Sequence, residues 1–153
     1  MLSVFWYRGG LLVTDFLPKK STFNSEYYCC ILDKLAAVIK EKFKVDEWHP
    51  VYLLQDNARP HVARKTMAKL SEIGIKLTNH PPYSPDLSPS DYYLFRDLKN
   101  YLGKSVISDE KEAIAKTIEF FESKDEYYFS RGIDVRPERM QAVINNKGTY
   151  IVD

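Results

Sequence analysis

The chain has 153 residues, 44% hydrophobic and 14% aromatic, the size of one domain with enough apolar side chain for a core, which excludes intrinsic disorder. Twenty-two basic against twenty-one acidic residues leave a formal charge of +1, so the chain lacks the strong overall positive field of many nucleic-acid binders, although a local basic surface stays open. No apolar run approaches the roughly 20 residues that span a bilayer, and Trp6, Tyr7 and Arg8 disqualify the opening stretch as a secretory signal, so a soluble intracellular protein without membrane partners is expected.

Leu2 to Arg8 and Leu11 to Leu17 are short β-prone runs joined by Gly9-Gly10, which tolerates positive φ, and they predict a β-hairpin. A hairpin alone is marginal and needs further strands to hide its apolar face, so the chain reads as truncated at its front. After Pro18, Asn24 is a candidate N-cap, and Tyr27, Tyr28, Ile31, Leu35, Val38 and Ile39 recur at helical spacing as far as about Phe43. The adjacent Cys29 and Cys30 rarely close an unstrained disulfide and fit a reducing compartment. With no second cysteine pair, and with His49, His61 and His80 scattered, no zinc-ligand pattern is matched.

Val51 to Gln55 is an apolar run without alternation, expected as a strand covered on both faces, with Asp56 at its end. A helix from about Pro60 to Glu72 follows, its buried stripe expected from Ala63, Met67 and Leu70; Gly74 closes it, and Ile75 to Thr78 predicts another strand. Strand, helix and strand in so short a span form a βαβ unit, so a layered α/β domain is expected, the hairpin supplying the antiparallel part of a mixed sheet. Pro81, Pro82, Pro85 and Pro89 then predict a stiff extended loop, after which Ser90 is expected to cap a helix from Asp91 towards Leu102. Helices are expected from Asp109 to about Glu122, around Lys124 to Ser130, and from Pro137 to about Asn145. Net charge falls from +3 over residues 1–44 through zero over 45–100 to −2 over 101–153, but Arg59, Arg64, Lys65 and Lys69 make the helix after Asp56 locally basic.

Two acids could carry chemistry. Asp56 follows a strand, at the edge where open α/β sheets bind ligands, although by position alone an Asx turn at the strand-to-helix junction is the favoured reading. Asp91 occupies a first helical turn, where the helix dipole favours a carboxylate whatever its role. The stretches from Gln55 through Asp56-Asn57-Ala58-Arg59-Pro60 to His61, and from His80 through the proline loop to Asp91-Tyr92, closely resemble the two signature stretches of the mariner family of DNA transposases. Thirty-four residues lie between Asp56 and Asp91, the spacing that names that family's acid triad. The resemblance continues through Tyr93-Leu94-Phe95, Phe129 to Ile133, Pro137-Glu138-Arg139 and Gly148-Thr149-Tyr150, and upstream to Val4-Phe5-Trp6.

The resemblance implies an RNase H-like α/β catalytic domain, a mixed sheet flanked by helices and incomplete at the N-terminus, which holds two Mg²⁺ or Mn²⁺ ions on three carboxylates for DNA strand cleavage and transfer. Asp56 and Asp91 would be the second and third acids. The first belongs on an earlier strand, so this chain is expected to lack it, together with the helix-turn-helix DNA-binding region, and to be inactive alone. Asp15, on the second arm of the hairpin, receives no catalytic role. Asn57, Arg59 and His61, with Arg64 and Lys65, are candidates for touching DNA phosphate or supporting the metal ligands; for Asn57 and His61, bracing the loop is the competing role. Tyr83, Tyr92 and Tyr93 either stack on bases or pack the core. Transposon-end and target DNA are the implied partners, with a homodimer as a candidate assembly, for which the proline loop is a candidate contact, and the nucleus as the location. A domesticated, non-catalytic DNA- or partner-binding module, or the tail of a SET-type methyltransferase fusion, is the alternative.

Overall fold

The computed structural model describes residues 1–44 and 50–152. His49 therefore lies outside the described residues. Two compact units divide the chain: Met1–Trp6 with Leu11–Pro82, and Tyr7–Gly10 with Tyr83 onwards.

Strands β1 (Leu2–Tyr7) and β2 (Gly10–Phe16) form the expected hairpin. The two-residue turn is Arg8-Gly9 rather than Gly9-Gly10, because the positive φ, +131°, falls on Gly10, the first residue of β2. Helix α1 (Ser25–Phe43) starts where predicted: Asn24 Oδ1 accepts the Tyr27 backbone N–H at 2.9 Å and satisfies a donor that the first helical turn would leave unpaired. Its apolar face, with Tyr28, Ile31, Leu32, Leu35 and Ile39, forms the core with Phe5 and Val13 of the hairpin and with Leu70 and Ile75.

Strands β3 (Val51–Leu53) and β4 (Ile75–Leu77) run parallel, in register Val51 with Ile75 and Leu53 with Leu77. The expected βαβ unit is therefore present. The helical link is broken into α2 (Arg59–Val62) and α3 (Arg64–Glu72), because Ala63 takes an extended ψ of 146° between them. That break shifts the helical phase, so Thr66 joins Leu70 in the interior and Met67 is exposed, contrary to the stripe expected from an unbroken helix. It also strips the Pro60 carbonyl of a helical donor, and Thr66 Oγ1 supplies one at 2.6 Å. Gly74, at φ +72°, turns the chain into β4.

Two sequence expectations about the strands change. Tyr52 is 61% exposed, so β3 is covered on one face only, by the core around α1. The strands also pair as two separate two-stranded sheets rather than one continuous mixed sheet, and no described strand bridges them. Apolar residues of both sheets belong to the α1 core, which unites them without a shared ladder.

In the second unit the proline segment is not uniformly extended, since Pro85–Leu87 makes a 3₁₀ turn that buries Asp86 and Leu87. Ser90–Phe95 is a π-helical turn that leads into α4 (Arg96–Gly103). The residue preceding this turn is Pro89, already in the right-handed helical region, so Ser90 lies inside the turn and is not its cap. Helices α5 (Glu110–Glu122), α6 (Glu126–Asp134) and α7 (Arg136–Asn145) follow close to expectation, with Asp109 and Asp125 accepting backbone N–H groups at the starts of α5 and α6. No helix among the described residues is long and apolar enough to cross a membrane.

Candidate functional site

Asp56 lies three residues beyond the carboxyl end of β3, on the loop that enters α2. Its side chain is 62% exposed. Oδ1 accepts the Ala58 backbone N–H at 3.0 Å, which is the Asx turn anticipated from the sequence, and also lies 2.5 Å from His61 Nδ1. A carboxylate only accepts, so Nδ1 carries the proton in this contact. Both N–H donors thus fall on one oxygen. Oδ2 takes no donor among the described residues.

The rest of the motif is arranged around that carboxylate. Asn57 Nδ2 donates to the His80 carbonyl at 3.1 Å, tying this loop to the segment after β4, which matches its bracing role. Lys65 pairs with Glu26 of α1 at 3.3 Å, and Lys69 with Asp33 at 3.2 Å and Glu72 at 3.0 Å, so half of the basic cluster is already neutralised by neighbours. Arg59 and Arg64 are exposed and form no ion pair among the described residues. Gln55 and Tyr28 were not among the sequence candidates. The buried Tyr28 hydroxyl donates to Gln55 Oε1 at 2.7 Å, and Gln55 Nε2 donates to the His61 carbonyl at 3.1 Å. Burial, reinforced by the nearby Asp56 charge, pushes the Tyr28 phenol far above its ordinary range and keeps it a donor. Gln55 stands inside the matched motif and could have been suspected; Tyr28, a helical core position 27 residues away, carried no local signal.

Asp91, in the second unit, is the second residue of the π-helical turn, and its N–H donates to the Ser88 carbonyl at 2.9 Å. Its neighbours anchor it. Tyr92 is buried and donates to the Gly132 carbonyl at 2.9 Å, and Leu94 is fully buried. Asp91 itself points outward, and no side chain among the described residues takes up its carboxylate. Single π-helical turns recur at functional sites, because the wider turn re-aims side chains between anchored neighbours. The 3₁₀ turn ahead of it is held from α7: Arg139 Nε donates to the Asp86 carbonyl at 2.7 Å and Arg136 Nε to that of Leu87 at 3.2 Å. The Asp86 carboxylate, missed from sequence, accepts the Ile151 backbone N–H at 3.0 Å. Of the three candidate tyrosines, Tyr92 packs inside, Tyr93 stacks on Tyr128 with centroids 4.8 Å apart, and Tyr83 is fully exposed.

Asp15 is a structural acid. It accepts from Lys34 Nζ at 2.8 Å and from the Tyr27 hydroxyl, pinning β2 to α1. Burial raises its pKa, but those two donors outweigh burial and leave the carboxyl below its ordinary value. Among the described residues no three or more His, Cys, Asp or Glu side chains gather to hold a metal ion. The donors that Asp56 and Asp91 offer are hard carboxylate oxygens, the type that Mg²⁺ and Mn²⁺ prefer.

A family model described as a transposase, partial DDE domain, matches residues 1–46, a stretch that ends before Asp56. Over 152 residues the chain is 35% identical to the human histone-lysine N-methyltransferase SETMAR, covering 98% of this chain and 22% of that protein. Over 154 residues it is 32% identical to the Mariner Mos1 transposase of Drosophila mauritiana, covering 99% of this chain and 44% of that protein. The crystal structure of the Mos1 catalytic domain superposes with a TM-score of 0.92 at 30% identity, over 99% of this chain and 75% of that one. That domain has also been solved with Mn and with Mg, with TM-scores of 0.91 and 0.92 to this chain and the same 30% identity and 99% coverage, over 76% of each solved chain. The fold class is RNase H-like. The chain belongs to the mariner transposases and corresponds to part of their catalytic domain. It spans less than half the length of the two full-length relatives.

Proposed function

We propose that this chain is the Asp56- and Asp91-bearing part of a divalent-metal-dependent domain for DNA strand cleavage and transfer, and that the 153 residues are inactive by themselves. The observation that carries this reading is the Asp56 carboxylate, which is exposed beyond the end of a parallel strand with both N–H donors on one oxygen and the other oxygen open. Asp91 is exposed as well, on a turn whose neighbours Tyr92 and Leu94 are buried. Bound Mg²⁺ or Mn²⁺ would supply Lewis-acid stabilisation of the oxygens exchanged in phosphodiester displacement. The chain's own contribution is to hold hard oxygen ligands at fixed positions and to offer Arg59 and Arg64 to DNA phosphates. Lys65 would join them by exchanging its solvent-screened pair with Glu26 for a phosphate. Among the described residues no cluster of three metal-ligating side chains forms, which is why weak metal binding and no turnover are expected of these 153 residues by themselves.

Support comes from Mos1, whose catalytic domain is solved with Mn and with Mg and whose paired-end complex is solved with a transposon end. Transposon-end and target DNA as partners, a homodimeric assembly and a nuclear location belong to the same proposal. Nicking of supercoiled plasmid with Mn²⁺ tests it. No nicking above a protein-free control is expected; nicking that Asp56→Ala abolishes would refute the claim of inactivity. Mn²⁺ broadening of amide resonances near residues 56 and 91 should disappear in Asp56→Asn and Asp91→Asn respectively, and broadening that survives both changes would refute the ligand assignment.

A further inference from the structure

We infer that His61 is a positioning residue for the metal site: it orients the Asp56 carboxylate so that Oδ1 is tied to protein and Oδ2 is left for a cation. This rests on the reading of Asp56 as a metal ligand and adds a residue to it. The ring packs against two aromatic side chains. It lies tilted against Tyr28 with centroids 4.4 Å apart, Phe23 meets it edge-on at 6.0 Å, and the side chain is only 19% exposed although its partner Asp56 is 62% exposed. Its backbone is fixed as well, with His61 N–H donating to the Ala58 carbonyl at 2.8 Å and its own carbonyl accepting from Gln55 at 3.1 Å. Since Gln55 is oriented by the buried Tyr28 hydroxyl, a continuous chain runs from the α1 core through Gln55 and His61 to Asp56.

A carboxylate on a loop would otherwise rotate about χ2 and present either oxygen. Two donors on Oδ1, one from the Asx turn and one from an imidazole packed against Tyr28 and Phe23, remove that freedom. With Nδ1 engaged on Asp56 and the ring flanked by two aromatic side chains, His61 acts through the acid and is not itself assigned as a ligand. Partners of this kind behind a metal ligand are worth about 10–100-fold in metal affinity.

The test separates the ring from the proton. His61→Phe keeps an aromatic ring for Tyr28 and Phe23 but has no N–H. His61→Asn loses the ring but places an amide N–H where Nδ1 stands. Mn²⁺ is titrated into the full 153-residue chain, with broadening of the Ala58 amide as the binding readout and thermal midpoint as the folding readout. The two rankings should cross: Phe should keep the midpoint and weaken Mn²⁺ binding about tenfold or more, while Asn lowers the midpoint and holds binding within about threefold of the parent. Phe binding Mn²⁺ like the parent, or both variants losing it together, overturns the positioning role. Asp56→Asn is the internal control. If it leaves the broadening unchanged, or if the parent shows none, the ligand reading itself falls; if it abolishes the broadening while His61→Phe does not, only the inference about His61 falls.

Discussion

Thr66→Val probes the break between α2 and α3, the local feature that departs furthest from the sequence pattern. Thr66 is 0% exposed, and its hydroxyl is the donor that replaces the helical N–H lost to the Pro60 carbonyl at the Ala63 kink. Valine keeps the branched shape and nearly the volume, so little cavity cost enters. The loss is one hydrogen bond, about 0.5–1.5 kcal/mol net, plus the penalty of a part-buried carbonyl left unsatisfied, about 1–3 kcal/mol when complete, which places the expected effect at about 2 kcal/mol. For a chain of this length that lowers the thermal midpoint by roughly 4–8 °C. Thr66→Ser, which keeps the hydroxyl and sheds a methyl, should cost less than valine, about 1 kcal/mol. Urea unfolding of the three proteins, compared at unchanged m-value, is the assay. In an unbroken helix the Pro60 carbonyl would have a backbone donor and the hydroxyl would be dispensable. A valine variant within about 0.5 kcal/mol of the parent, or a serine variant less stable than valine, would refute the reasoning.

Tyr27 donates to the Asp15 carboxylate, and that hydrogen bond first, with burial and the charge of Asp15 after it, raises its pKa to about 12. A folded-state pKa above the ordinary 10.0 means that this interaction stabilises the fold fully below pH 10 and is lost as pH rises towards 12. Asp15→Asn should return one tyrosine to the ordinary range in an absorbance titration at alkaline pH; an unchanged curve would contradict the assignment. At the acid end the sign is opposite. Asp15 has a lowered pKa, so its contribution is present above the unfolded value of 3.8 and is lost as pH falls through the folded one, and the asparagine variant should show a shallower acid limb of stability. Gly10→Ala forces a side chain onto φ +131° and should destabilise by about 1–3 kcal/mol in urea unfolding, whereas a neutral effect would argue that the turn relaxes.

Much of this protein was legible because its signals are local. The apolar spacing of α1, the Asn24 cap, the Gly74 exit and the short apolar runs that become β3 and β4 each depend on residues within a few positions of one another, where helix and strand patterns act directly. The family was legible for a different reason: the motifs around Asp56 and Asp91 stand at a fixed separation that identifies it, and the family carries the fold with it.

Tertiary contacts decided the remainder. Whether α2 and α3 form one helix depended on Ala63 adopting an extended ψ, and the buried Thr66 hydroxyl donates to the Pro60 carbonyl at that break. The chain from Tyr28 to Gln55 to His61 joins residues on a helix and a loop that no spacing rule connects, and Asp86 meets Ile151 across 65 positions. Hydrogen bonds of that range exist only once packing has brought the segments together, because their partners share no local period. The amino-acid order therefore determined which acids this domain presents, while the orientation of the Asp56 carboxylate, and which of its oxygens is left open, was decided by groups that only the folded core assembles.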